Sequence, residues 1–60
     1  MTLSEFRKSK KLTQHEMSEL IEVSFSHYSK IELGVRNPSY NFITLFKRKF
    51  PDGDIQDMFF

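Results

Sequence analysis

Cysteine is absent from the 60-residue chain, and its absence excludes disulfides and thiolate metal sites, two devices that stabilise small proteins. The two histidines, His15 and His27, stand apart with no paired ligand beside them, so they match no zinc-binding spacing and we expect no metal. No apolar run approaches the roughly 18 residues of a membrane span. Residues 1–5 lack a basic segment followed by an apolar one, so we expect neither a secretory signal nor a membrane partner. Stability must therefore come from close packing or from a second subunit.

Aromatic residues are what the chain has in quantity, with seven Phe and two Tyr. Each ring can bury roughly 150–250 Å², which matters because a chain of this length buries only about 60% of its unfolded surface. Residues 1–60 suffice for one domain, and we expect no second domain for cleavage or ligand sensing.

The formal net charge of +1 conceals an alternation of charged blocks. Residues 1–11 and 35–50 are basic, whereas residues 12–34 and the tail from residue 51 are acidic. Basic patches on a nearly neutral body suit contact with phosphates. Solvated helix ends would give the same pattern, so the blocks alone do not decide between the two interpretations.

Two capping boxes mark the first two helices. Thr2 with Glu5, and Thr13 with Glu16, have the spacing at which each side chain satisfies a free backbone N–H of the other residue. They predict helix 1 to about residue 10 and helix 2 over about 13–21. The helical spacing of apolar residues predicts that the following side chains are buried: Leu3, Phe6, Met17, Leu20 and Ile21.

Ser24 and Gly34 bound the predicted third helix, over about 24–33, because Ser favours the N-cap and Gly ends helices. Tyr28 and Ile31 share its inner face. Four residues point elsewhere: Phe25, Ser26, His27 and Lys30.

Two further helices are predicted, one from residue 40 to about 49 with Ser39 as its cap, and a short one over 55–59. The expected core stripe of helix 4 consists of Tyr40, Ile43, Phe46 and Phe50. Phe42 and Leu45 lie off this stripe. The chain shows no strand alternation and no repeat, so the expected fold class is all-α with five helices.

The connection between helices 2 and 3, residues 22–24, is short enough to force a steep crossing, as in a helix-turn-helix. In the DNA-binding form of this motif the second helix enters the major groove. An enzyme is excluded because the sequence has no paired-carboxylate pocket, no Gly-rich phosphate loop and no activated nucleophile, and so small a helical domain rarely encloses the few hundred Å³ that a substrate needs. We accordingly expect no cofactor and no small-molecule ligand.

Several segments match one family in register: residues 12–21 (LTQHEMSELI), 23–24, 29–32, Gly34 and 37–39. Through them the chain resembles the Cro/repressor (phage repressor, XRE-like) helix-turn-helix family, and the likeness extends over residues 3–59. The resemblance implies a five-helix, lambda-repressor-like DNA-binding domain. It also implies a dimeric transcription regulator, cytoplasmic and bacterial or phage-encoded, that binds a palindromic operator.

The family's base-reading positions correspond here to Phe25, Ser26 and Lys30. Phe25 could pack on thymine methyls, and Lys30 would reach guanine O6 or N7 or a phosphate. The alternative for Phe25 is that it folds back into the core or contacts a protein. The residues expected to contact phosphates are Gln14, Ser24, His27, Arg36 and Lys11, although Gln14 could serve only as a capping residue.

The resemblance also implies that Arg7 of helix 1 pairs with Glu32 of helix 3, a bidentate contact that would fix the recognition helix. Two separate surface charges are the alternative. Glu22 departs from the family because it stands where the turn usually has Gly. A left-handed backbone there costs roughly 1–2 kcal/mol for any other residue.

Surplus apolar residues near the C-terminus suggest a subunit interface. The residues expected there are Leu45, Met58, Phe59 and Phe60, unless helix 4 is instead buried on most sides of a small core. The expected function is that of a Cro-like repressor of a phage or mobile element. The alternative is a protein-interaction module, of the antirepressor or antitoxin type, that reuses the same fold.

Overall fold

The computed structural model describes residues 1–59, and these form five α-helices and no strand. The helices are α1 (Leu3–Ser9), α2 (Gln14–Leu20), α3 (Phe25–Glu32), α4 (Tyr40–Lys49) and α5 (Ile55–Phe59). The all-α prediction is confirmed, and every predicted helix is present with its ends within about two residues, the usual uncertainty of such boundaries. None of these helices is long and apolar enough to cross a membrane.

The first four helices begin at capping residues that the sequence predicts. The Thr2 hydroxyl accepts from the Glu5 N–H at 3.1 Å, and the Glu5 carboxylate accepts from the Thr2 N–H at 2.7 Å. Thr13 and Glu16 repeat this arrangement at the start of α2. Ser24 and Ser39 accept one N–H each at α3 and α4. Short helices need such caps because their free N–H groups are a large share of their backbone.

The first three helices end in the same way, with a left-handed residue at Lys11 (φ 59°), Glu22 (φ 63°) and Gly34 (φ 81°). The next residue in each case donates its N–H to a carbonyl five positions back, at 3.0–3.3 Å, which is the Schellman arrangement. The strain at Glu22 is expected from the sequence. The left-handed Lys11 is not, because that residue carries none of the usual turn signals.

The core lies where α1, α2, α3 and α4 meet. Its buried members are Leu3, Phe6, Met17, Ile21, Tyr28, Ile31, Phe42 and Phe46. The ring of Phe6 lies 5.5 Å from the rings of Phe46 and Phe50, within the range of favourable aromatic pairs. The prediction that Leu20 is buried was wrong: 37% of its surface is exposed, because Met17 and Ile21, four positions apart, form the inner stripe and Leu20 lies at its side.

The predicted core stripe of α4 was wrong at Tyr40 and in leaving out Phe42, whereas Phe46 is buried as expected. Tyr40 is 87% exposed, whereas Phe42, expected off the stripe, is only 1% exposed. Phe42 and Phe46 define the buried direction, and at about 100° per residue Tyr40 points roughly 140° away from it. Ile43 and Phe50 flank the stripe and are half-buried.

The C-terminal segment closes the core with aromatic contacts. Phe59 makes edge-to-face contacts with Phe42 at 6.0 Å and Phe46 at 5.8 Å. The turn before α5 lies close to the core, since a Cβ at Gly53 would stand 2.8 Å from the Phe46 ring. The Lys47 ammonium donates to the carbonyls of Pro51 and Gly53, both at 3.0 Å. These contacts hold α5 against the buried side of α4.

Candidate nucleic-acid interface

The recognition helix of the motif, α3, is buried on one face and exposed on the other. Tyr28 and Ile31 anchor its inner face in the core, whereas Phe25, Ser26 and Lys30 are exposed. The three exposed residues are those that the family resemblance assigns to base contacts, and the structure brings them together on one short helix. Burial of the inner face fixes which side chains α3 can present to a partner.

An ion pair between Arg7 and Glu32 ties α3 to α1. The Arg7 guanidinium donates from Nε to Glu32 Oε2 and from Nη2 to Glu32 Oε1, both at 3.0 Å, so the contact is bidentate. The two side chains are only 12% and 5% exposed. Two further donors complete the cluster, because Arg7 Nη1 binds the Leu12 carbonyl at 2.8 Å and Gln14 Nε2 binds Glu32 Oε1 at 3.0 Å.

The cluster keeps the Glu32 carboxylate ionised. Burial opposes ionisation, but the hydrogen bonds that the carboxylate accepts, those from Arg7 first, outweigh it and lower the pKa of Glu32 to about 2. The same contact with Glu32 raises the pKa of Arg7. Since the end of α3, the middle of α1 and the start of α2 all meet at one carboxylate, the cluster sets the angle of α3 within the domain.

Tyr28 lies behind this cluster, and its hydroxyl is buried without a hydrogen-bond partner of good geometry among residues 1–59. Burial raises the pKa of Tyr28, which therefore remains neutral. The ring packs against Phe42 at 6.3 Å and, together with Ile31, anchors α3 in the core.

Phe25, at the start of α3, neither folds into the core nor stands alone. Its ring stacks on the imidazole of His15, with centroids 3.8 Å apart and planes at 4°. From the sequence, Phe25 has no stabilising contact and His15 has no role. Helical periodicity could not reveal the pair, because the contact joins the first turns of two different helices.

Ser24, His27 and Asn41 line a shallow depression of about 250 Å³ between the start of α3 and the start of α4. His27 packs on the Phe42 ring at 5.9 Å, which fixes the imidazole beside the α3 N-terminus. Polar side chains and two helix starts thus face one depression, a setting that suits contact with an anion.

The basic residues fall into two groups. Lys10 pairs with Asp52 at 2.8 Å, and Lys47 binds backbone carbonyls, so both are already engaged within the domain. Lys11, Lys30 and Arg36 are exposed and form no ion pair with any residue of 1–59. Over the same residues no group of three acidic or histidine side chains could hold a metal ion.

The residues expected at a subunit interface occupy different settings. Met58 and Phe59 pack partly against the core of the same chain, and Leu45 is half-buried on α4. Phe60 lies outside the described residues. The same chain buries more of Phe59 than the sequence predicts, because Phe42, expected to lie off the core stripe of α4, is buried and contacts Phe59.

Comparison with known proteins supplies the family. Residues 3–46, from the start of α1 to Phe46 in α4, match the family model HTH_3, helix-turn-helix. Searches of the curated proteins and of the solved structures find no significant match. The match covers most of the chain and includes α2, the turn and α3. The chain therefore belongs to the helix-turn-helix family of DNA-binding transcription regulators of the Cro/repressor type, with a lambda-repressor-like helical fold.

Proposed function

We propose that the protein is a Cro-like repressor that reads its operator with the outer face of α3. The observation that carries the proposal is the division of α3 itself, whose inner face is anchored by Tyr28 and by the Arg7–Glu32 pair while its outer face is exposed. A helix held in this way can enter the major groove without rearranging. No catalysis, cofactor or small-molecule ligand is part of the proposal.

Three side chains on the outer face contact base edges in this proposal. Phe25 packs on a thymine methyl, Ser26 bonds to a base edge, and Lys30 donates to guanine O6 or N7. Because only these residues read sequence, we expect modest discrimination within one half-site.

A second group contacts phosphates and supplies affinity without reading sequence. Ser24 and His27 lie together in the depression at the start of α3, and Arg36 and Lys11 are exposed. Gln14 also belongs to this group. One N–H of its side-chain amide donates to Glu32, and the second N–H of that amide can donate to a phosphate.

We further propose a homodimer on a palindromic operator, with Leu45, Met58, Phe59 and Phe60 at or near its interface. A two-fold dimer places two recognition helices about one helical turn of DNA apart. Such a regulator acts where the DNA is, so we place it in the cytoplasm of a bacterial host, encoded by a phage, another mobile element or the host itself.

The test is selection from a pool of random duplexes by the purified chain at about 100 mM salt, where non-specific contacts are weakened. Enrichment of an inverted repeat with half-sites about one helical turn apart would support the dimeric reader. Enrichment of a single short half-site would keep the reading function and contradict the dimer. Recovery of no sequence would contradict the reading function itself.

A protein-interaction module is the second candidate, and two observations favour it. Phe25 presents an exposed aromatic ring beside the turn, and Glu22 puts an acidic side chain into that turn. Salt dependence separates the two functions, because DNA binding weakens steeply with salt whereas an apolar protein contact does not.

A further inference from the structure

His15 and Phe25 form a stacked pair at the edge where α2 and α3 both begin. His15 is the second residue of α2, Phe25 is the first residue of α3, and the two rings are almost parallel at 3.8 Å. His15 is exposed and Phe25 is 37% exposed. The pair therefore stands outside the core, on the side from which α3 is presented.

The stack restricts the orientation of the Phe25 ring. An exposed Phe at the first position of a helix can choose among staggered rotamers, and each would point the ring at a different place. A planar neighbour at van der Waals distance favours the one rotamer that lies flat against it. The imidazole covers one face of the ring, and the 37% of Phe25 that stays exposed is available to a ligand.

We propose that His15 is a positioning residue for base recognition: its imidazole holds the Phe25 ring in the one orientation that meets the base step. The inference rests on the proposed function, because it requires that Phe25 contacts a base. It assigns His15 no contact of its own with the DNA, so its effect on sequence preference passes through Phe25.

The experiment is a double-mutant cycle on the full chain, with His15→Ala, Phe25→Ala and the double variant. The probes are the duplex selected by the wild-type chain and its single-base-pair variants. We expect His15→Ala to reduce discrimination by about two- to tenfold at the position that Phe25 reads, the range given by the coupling of an aromatic pair. Other positions should keep their preference, and His15→Ala should have no further effect in the Phe25→Ala background.

Two additional variants keep the test specific. His15→Phe retains a planar ring and should restore most of the discrimination, whereas His15→Leu retains side-chain bulk without an aromatic face and should restore little. Thermal unfolding of each variant shows whether the domain is intact: we expect one cooperative transition for each, with the midpoint lowered only by the small free energy of the stack. In the free protein, the NMR chemical shifts of the Phe25 ring protons should change when His15 is replaced by Ala, and they should return towards the wild-type values when it is replaced by Phe.

The outcomes separate the inference from the function on which it rests. If Phe25→Ala leaves every base preference intact, Phe25 does not read DNA and the proposed reading fails. If Phe25→Ala relaxes one position while His15→Ala changes nothing, the proposed reading stands and the positioning role is wrong. A uniform loss of affinity with His15→Ala, additive with Phe25→Ala, would mean that His15 contacts the backbone of the DNA itself, and it too would overturn the inference.

Discussion

The helix-turn-helix unit, residues 14–32, and the C-terminal segment, residues 50–59, are attached to the same core by different kinds of contact. The unit contributes four buried side chains to the core, Met17, Ile21, Tyr28 and Ile31, and is held in addition by a buried bidentate contact between Arg7 and Glu32. The segment is fastened mainly by ring packing, with Phe59 edge-on to two core rings. Hydrophobic contacts stabilise the packing of a segment but tolerate small rotations of it. A bidentate ion pair instead restricts its two side chains to one relative orientation. The buried bidentate contact holds α3, the helix to which the proposed function assigns base reading.

The difference predicts that Arg7→Met causes a larger loss of stability than any single change in the C-terminal segment. It leaves the Glu32 carboxylate, only 5% exposed, without its cation, and breaking a buried pair from one side costs about 3 kcal/mol. Urea unfolding at neutral pH measures the loss. The matched control is Lys10→Met, which breaks the exposed pair with Asp52 and should cost much less, because exposed ion pairs contribute little to stability. Equal losses of stability for the two variants would mean that the buried Arg7–Glu32 pair contributes no more to stability than an exposed pair.

Acid should release the same contact. The pKa of Glu32 is about 2 in the folded domain against an ordinary 4.5, so its contribution to stability is fully present above about pH 4.5. That contribution should disappear as the pH falls from 4.5 towards 2, because over this range the unfolded chain takes up a proton at Glu32 that the folded domain does not. Unfolding free energies across this range should fall for the wild-type chain and fall less for Glu32→Gln. An identical acid limb in both proteins would show that other carboxylates account for it.

Phe59→Ala tests the C-terminal side of the comparison. Phe59 is half-buried against Phe42 and Phe46, so its removal should cost about 2 kcal/mol, below the range for a fully buried Phe. Base preference should not change, since the ring packing of Phe59 does not set the angle of α3. Gln56→Ala, an exposed change on the same helix, should lie within about 0.5 kcal/mol of the wild-type chain. An altered base preference in Phe59→Ala would contradict the separation of the two regions.

Glu22→Gly should produce the smallest effect, a gain in stability. Glu22 holds a φ of 63° at the end of α2, where glycine avoids most of a cost of about 1 kcal/mol. The unfolding midpoint measures the gain. Lys11→Gly, at a φ of 59° in the other turn, should give a similar gain without removing a negative charge. If only Glu22→Gly stabilises, electrostatics rather than backbone strain explains the effect.

Local signals in the sequence were sufficient for the helices and their ends. The capping boxes at Thr2 and Thr13 and the helix end at Gly34 depend only on neighbours within a few positions, so they can be recognised in the sequence alone. The ion pair expected between Arg7 and Glu32 is present, although it was inferred from the family resemblance rather than from any local pattern.

The packing of the helices against one another could not be predicted from the sequence. Helix α4 carries apolar residues at Tyr40, Phe42, Ile43, Leu45 and Phe46, which surround most of its circumference, so periodicity alone could not select the inner stripe. Packing against Tyr28 and Phe59 selects Phe42 and Phe46. The stack of His15 on Phe25 could not be predicted either, because it depends on how α2 and α3 pack against each other.

The reading role of α3 is tested most directly by comparing Lys30→Ala with Arg36→Ala on the selected duplex and its single-base-pair variants. Lys30→Ala should relax preference at one guanine, by about tenfold. Arg36→Ala should weaken binding to all duplexes alike and reduce the slope of log affinity against log salt by about one. If Lys30→Ala instead weakened every duplex equally, and Phe25→Ala and Ser26→Ala likewise left the preferred sequence unchanged, α3 would not be the element that reads the DNA.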